Sequence, residues 1–100
     1  MKYNCLNNLS ENNPDKLYLI LFYTDWCEPC VETINIINNI NYNNLEKYYI
    51  DLEELENEDI SNHFNINALP SIVFLKRKNI IKIVSGSRTK NTYINIIENN

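Results

Sequence analysis

Glycine is nearly missing from this chain, with Gly86 alone among 100 residues, and there are only three prolines and no glutamine. No Gly/Ser/Pro-rich linker and no repeat divides the sequence, so residues 1–100 are expected to form one small domain. At that size a core can cover a sheet on both faces without disulfide staples. Cysteine is scarce as well. Three cysteines, an odd number, do not make a secreted disulfide framework, and two of them are too close in sequence to cross-link distant elements. A cytoplasmic or other reducing compartment fits this usage. No segment approaches the roughly 20 apolar residues that span a bilayer. The first residues, Met1-Lys2-Tyr3-Asn4-Cys5-Leu6-Asn7-Asn8, lack the continuous apolar stretch of a signal peptide. The expectation is a soluble chain without a membrane partner. Nine basic residues against thirteen acidic ones leave no broad basic face, which argues against nucleic acid as a partner.

Asparagine and isoleucine are abundant instead, at twenty and fifteen residues. Asn, Ile, Lys and Tyr share AT-rich codons, so the bias reads as drift laid over an ordinary fold. The Asn residues alternate with Ile and Leu at element spacing, which makes them surface positions rather than a disordered tract.

Leu17-Tyr18-Leu19-Ile20-Leu21-Phe22-Tyr23 is almost continuously apolar, as expected of a central strand buried on both faces. Val31, Ile34, Ile37 and Ile40 recur every three residues, with Ile36 alongside, and predict a helix running to about Asn43. Tyr48 to Leu52 then reads as a second strand, joined to the first by a right-handed parallel crossover. The six carboxylates between Asp51 and Asp59 suit a solvated loop and the start of a short helix. Ile60 and Phe64 would anchor that helix, Asn65 would end it in the left-handed conformation, and His63 would lie on the surface. Pro70 opens a strand over Ser71 to Leu75, and the polar turn Lys76 to Asn79 leads into Ile80 to Val84, so these two strands must be antiparallel. Gly86 ends the hairpin. Thr89 is an N-cap candidate for a last helix with apolar positions Tyr93, Ile94, Ile96 and Ile97. A short edge strand near Lys2 to Leu6, with a ragged helix after it, is the reading of the first fifteen residues.

Directly behind the first strand stands Trp26-Cys27-Glu28-Pro29-Cys30. A Cys-x-x-Cys beside a strand-helix-strand pattern reads as a redox site. Only a thiolate attacks a disulfide, and Cys27 would sit at the helix N-terminus, where unpaired backbone N–H groups and the helix dipole favour negative charge. Cys27 is thus the candidate nucleophile. Cys30, one turn inward, is the resolving thiol, and Pro29 is tolerated in the first helical turn. Structural zinc commonly takes two such pairs, and the chain has one, so no metal and no cofactor is expected. Cys5 lies outside the motif, either as a buried inert thiol or as a regulatory or intermolecular one.

Trp before the first cysteine and Pro before the second resemble the thioredoxin active-site segment, usually Trp-Cys-Gly-Pro-Cys. Asn65-Ile66-Asn67-Ala68-Leu69-Pro70-Ser71 is similar to that family's second signature, an apolar residue before a cis-proline that opens the strand facing the thiols. The spacing from Cys30 to Pro70, Asp51 at the end of the second strand, and Gly86 sixteen residues after Pro70 match without a gap. The resemblance covers about Leu17 to Asn99. It implies the thioredoxin fold: α/β, with a mixed central sheet of four to five strands flanked by three to four helices. It also implies a protein-disulfide reductase, a monomer, acting on disulfide-containing protein substrates. Cys27 would form a mixed disulfide, Cys30 would release the reduced substrate, and a thioredoxin-reductase-type flavoprotein using NADPH would restore the dithiol. Pro70 is expected to be cis, presenting the Leu69 main chain as a short strand edge. Trp26, Pro29, Leu69, Pro70 and Gly86 would form a shallow substrate groove.

Some positions depart from the family. Leu21 stands where thioredoxins usually carry a buried Asp that takes a proton from the second cysteine, and Lys47 matches the lysine that pairs with that Asp. Lys47 is therefore expected to snorkel outward or to act on the thiolate field. Glu28 replaces the motif glycine and places negative charge near Cys27, disfavouring its thiolate. Lys78 replaces a turn glycine, and Ser85 an apolar groove residue. Leu21 and Glu28 motivate an alternative reading, a thioredoxin-fold binding subunit with weak redox activity.

Overall fold

Leu17–Tyr23 forms strand β1 in the computed structural model, which describes Cys5, Leu6, Asn8 and residues 12–100. Side chains alternate across a strand, so each face needs its own cover. Leu17, Leu19 and Leu21 join Ile37, Ile40, Ile72, Phe74, Tyr93 and Ile97 in one core cluster. Tyr18, Ile20 and Phe22 join Leu6, Ile50, Ile60, Phe64, Val73 and Leu75 in another. A strand with no solvent face belongs in the middle of a sheet. β1 accordingly pairs in parallel with β2 (Leu45–Asp51) and antiparallel with β3 (Ser71–Lys76), and β3 pairs antiparallel with β4 (Asn79–Ser85). The order is β2-β1-β3-β4. Helices α1 (Glu28–Asn38) and α3 (Lys90–Glu98) supply the first cluster, while α2 (Glu58–His63), preceded by a 3₁₀ turn at Leu55–Asn57, supplies the second. The result is a sheet sandwiched between two helical layers, the α/β architecture expected.

Elements differ from the expectation by more than one residue in three places, and β2, β3 and β4 shift by a single residue at other ends. α1 stops at Asn38 rather than near Asn43. Asn competes with the helix for backbone hydrogen bonds, and Asn38, Asn39, Asn41, Asn43 and Asn44 crowd this end. The Asn39 side chain bonds back to the Asn35 carbonyl at 2.8 Å, and Ile40 turns into the core. The buried stripe of α1 is Cys30, Thr33 and Ile37, while Val31 is 51% exposed. A strict three-residue spacing falls about 60° short of a full helical turn at each step, so Val31 and Ile37 cannot share a face. β2 begins at Leu45 rather than Tyr48, because Leu17, Leu19 and their neighbours provide partners for Leu45, Glu46 and Lys47. At the N-terminus, Cys5 and Leu6 are helical, which replaces the end of the expected edge strand. Asn8 and Asn12 are helical too, in keeping with the ragged helix expected there, and the remaining residues of that expectation lie outside those described.

Turn chemistry is unusual. Arg77 and Lys78 connect β3 to β4 with φ of 53° and 69°, the two-residue hairpin geometry that normally selects Asn and Gly. Asn65 takes φ 54° after α2, as its residue type allows. Thr89 caps α3 by accepting the Thr92 N–H.

Candidate active site

β1 ends at Tyr23, and the chain turns at Thr24 to Trp26 before Cys27 caps α1. A cap residue has extended backbone and leaves its side chain facing the free N–H groups of the first turn. Cys27 has φ −89° and ψ 105°, and its Sγ accepts the Cys30 N–H at 3.3 Å. Pro29 occupies the first turn, where its missing N–H leaves no gap. Cys27 and Cys30 are joined as a disulfide with Cα atoms 5.2 Å apart. Cys27 is 8% exposed and Cys30 fully buried, so of the two only Cys27 reaches the surface. Trp26 beside it is 74% exposed.

The Leu69–Pro70 bond is cis, and Pro70 is buried at the head of β3. Its carbonyl accepts the Gly86 N–H at 2.8 Å. Gly86 has φ +80° with open space where a Cβ would stand, so glycine is required by conformation and not by crowding. A shallow cavity of about 450 Å³ borders Cys27, lined by Trp26, Leu52, Ile66, Asn67, Ala68 and Leu69. It takes in Trp26 and Leu69 from the expected groove and leaves out Pro29, Pro70 and Gly86. Leu52 was missed because it belongs to no motif, and only the fold brings the end of β2 to the thiols; Ile66 lies in the second signature, where only Leu69 and Pro70 were assigned to the groove. A hollow of similar size between β4 and α3, near Lys82, Ser85 and Arg88, contains no thiol.

Lys47 is not brought to the thiols. Its Nζ donates to the Ile37 carbonyl at 3.3 Å, the Ile40 carbonyl at 2.9 Å and Asn41 Oδ1 at 3.3 Å. These acceptors lie at the far end of α1, about 10 Å along the axis from Cys30 at 1.5 Å per residue. The negative end of a helix attracts a cation, and with Leu21 apolar no acid on β1 competes for it. Leu21 is fully buried on the α1 side of the sheet.

Negative charge gathers instead at the thiol end of the sheet. Burial pushes the Tyr23 hydroxyl above its ordinary pKa, and the carboxylates of Asp51, Asp25 and Glu54 add to the effect. Glu28 stands exposed in the first turn of α1. Cys5 is exposed, not buried as the simpler reading had it. His63 is exposed, with its ring edge-to-face against Phe64 at 4.9 Å. Among the described residues no three His, Cys, Asp or Glu side chains cluster as a metal site, and no helix is long and apolar enough to cross a membrane.

The geometry has known counterparts. The family model for thioredoxin matches residues 5–99. Thioredoxin-T of Drosophila melanogaster is 35% identical over 77 residues, covering 72% of this chain and 46% of that protein. Thioredoxin H5 of Arabidopsis thaliana is 32% identical over 78 residues, covering 76% and 64%. The chain thus spans about half to two thirds of the length of these relatives. Among solved structures, a thioredoxin from Nicotiana alata superposes with a TM-score of 0.81 at 26% identity, covering 96% of this chain and 83% of that one. Fasciola hepatica thioredoxin gives 0.83 at 21% identity, covering 99% and 95%, a likeness of fold.

Proposed function

The chain belongs to the thioredoxin family, and from that premise we propose that it is a dithiol-disulfide oxidoreductase that reduces protein disulfides. One observation carries the reading: Cys27 lines the surface cavity with its sulfur bonded to a helix N–H, and the fully buried Cys30 is close enough to close a disulfide. The Cys27 thiolate attacks a substrate sulfur, the substrate S–S bond breaks, and the departing sulfur takes a proton from water. Cys30 then loses its proton and attacks Cys27, the mixed disulfide breaks, and the second substrate sulfur leaves as a thiol. Two electrons pass from the dithiol to the substrate. Because Leu21 offers no base, the Cys30 proton goes to solvent, and the second step is the slower one. The dithiol is restored by a thioredoxin-reductase-type donor, and a reducing compartment such as the cytoplasm suits the cycle.

Insulin reduction with dithiothreitol as the donor tests this. Cys27→Ser is expected to abolish activity, and Cys30→Ser to accumulate mixed disulfide; unimpaired turnover by Cys27→Ser overturns the proposal. The reduction potential sorts reductases from oxidases, at about −270 mV for thioredoxins against about −120 to −180 mV for oxidising relatives.

The buried Leu21 favours one second reading, a binding subunit that keeps the groove with little turnover. Partners retained by a Cys27→Ser/Cys30→Ser double variant in pull-downs support it, and partners lost support the reductase.

A further inference from the structure

We propose that Thr33 and Ser87 are positioning residues, a hydroxyl clamp that registers the thiol-bearing turn against the Pro70 side of the groove. This rests on the reductase reading. Thr33 is fully buried on the same stripe of α1 as Cys30 and returns its Oγ1 to the Pro29 carbonyl at 2.9 Å. Helical threonines commonly make such a bond, and it would be unremarked without a third member. Ser87, 54 residues later, places its Oγ 2.9 Å from Thr33 Oγ1 and 3.1 Å from the same Pro29 carbonyl. Two hydroxyl hydrogens thus serve three contacts. If Thr33 donates to Pro29, the Ser87 hydrogen is shared between Thr33 and Pro29; if Thr33 donates to Ser87, Ser87 donates to Pro29. Pro29 accepts in either arrangement.

Pro29 lies between the two cysteines, so what holds its carbonyl holds the turn that carries them. The segment bearing Ser87 is itself fixed on both sides. Gly86 donates its N–H to the Pro70 carbonyl at 2.8 Å, and Arg88 donates its N–H to the hydroxyl of buried Tyr93 at 3.0 Å. Three successive residues therefore tie the Pro70 segment, the thiol turn and α3 together. The two walls that must grip a peptide disulfide, one carrying Cys27 and one carrying Leu69 and Pro70, keep their spacing through Ser87. A small disulfide needs only the sulfur of Cys27. A protein disulfide needs both walls.

The test compares Ser87→Ala, Thr33→Val and Thr33→Ser with the wild type, using insulin as a protein disulfide and a small aromatic disulfide as a reagent that needs no groove. Ser87→Ala and Thr33→Val are expected to raise KM for insulin roughly fivefold, the factor that one ordinary hydrogen bond is worth, with kcat little changed. The rate with the small disulfide stays at the wild-type value. Thr33→Ser, which keeps the hydroxyl, behaves as wild type. Wild-type KM in Ser87→Ala, an equal loss on both disulfides, or a Thr33→Ser that matches Thr33→Val each overturns the clamp. Ser87 is exposed, so its variant tests the idea even if Thr33→Val fails to fold. A wild type that does not reduce insulin overturns the reductase reading and the clamp with it; an active wild type matched by Ser87→Ala overturns the clamp only.

Discussion

Restoring the acid that most thioredoxins carry beneath the second thiol is expected to damage this molecule, and to do so in a pH-dependent way. Leu21 is fully buried among Leu17, Leu19, Ile37, Ile72 and Phe74. Removing its side chain from that packing costs about 3 kcal/mol, within the range for truncating a core leucine. The carboxyl of Leu21→Asp would then need a cation, and the candidate on the neighbouring strand, Lys47, is bonded to Ile37, Ile40 and Asn41. Burial without a partner raises a carboxyl's pKa well above the usual range. The folded value then exceeds the unfolded one, so the acid's contribution is intact below the unfolded pKa and is lost as pH rises toward the folded one. Each pH unit over which the unfolded chain is ionised and the folded chain is not removes about 1.4 kcal/mol. Between pH 5.5 and pH 7.5 the Leu21→Asp variant should therefore lose roughly 3 kcal/mol more than the wild type. Added to the packing loss, that consumes much of the 5–15 kcal/mol (roughly) that holds a domain folded. Urea unfolding at both pH values measures it, with Leu21→Asn as the uncharged control that should lose stability equally at both. A Leu21→Asp loss that does not change with pH would show that Lys47 abandons α1 for the new carboxylate, and the assignment of Lys47 to the helix end would fall.

Other outcomes follow from single sites. Lys47→Met should lower stability by about 1–2 kcal/mol, by removing the ammonium that bonds the Ile37 and Ile40 carbonyls. Its reaction with a small disulfide should stay unchanged; slowed thiol chemistry would place the ammonium at the active site after all. Lys78→Gly should raise stability by about 1 kcal/mol, since the left-handed backbone at φ 69° strains any residue with a Cβ; a fall in melting temperature contradicts this. Tyr48 has its pKa pushed up to about 12, by burial first and then by Glu46 and Tyr18. The unfolded chain therefore sheds this proton first, and stability should fall as pH rises from about 10 through 12. Tyr48→Phe should flatten part of that fall in denaturant titrations, and an unchanged slope rejects it.

The parts legible in the sequence were those in which one residue type answers one physical demand. An almost continuously apolar run of seven residues reads as a strand covered on both sides, and a thiol spacing at a strand-to-helix handover located Cys27 and Cys30. Asn65 and Thr89 announced a left-handed stop and a cap by their side chains alone. What stayed hidden depended on partners far along the chain. Lys47 could be matched to a family position, but its role turned on the helix ending at Asn38, a boundary set by competing asparagines. Thr33 and Ser87 belong to no motif and to no apolar stripe, and only the fold brings their hydroxyls to 2.9 Å. Val31 was misplaced by a spacing close to the helical repeat without equalling it.

Trp26 is the only tryptophan in the chain, and it stands mostly in solvent next to the disulfide. An excited indole beside an S–S bond loses its emission by electron transfer to sulfur, and that loss ends when the bond opens. The same ring is already wet in the folded state, so unfolding changes its surroundings little. The molecule thus contains an optical gauge of its own oxidation that is nearly blind to its folding, while seven tyrosines, several of them buried or half-buried, report the converse.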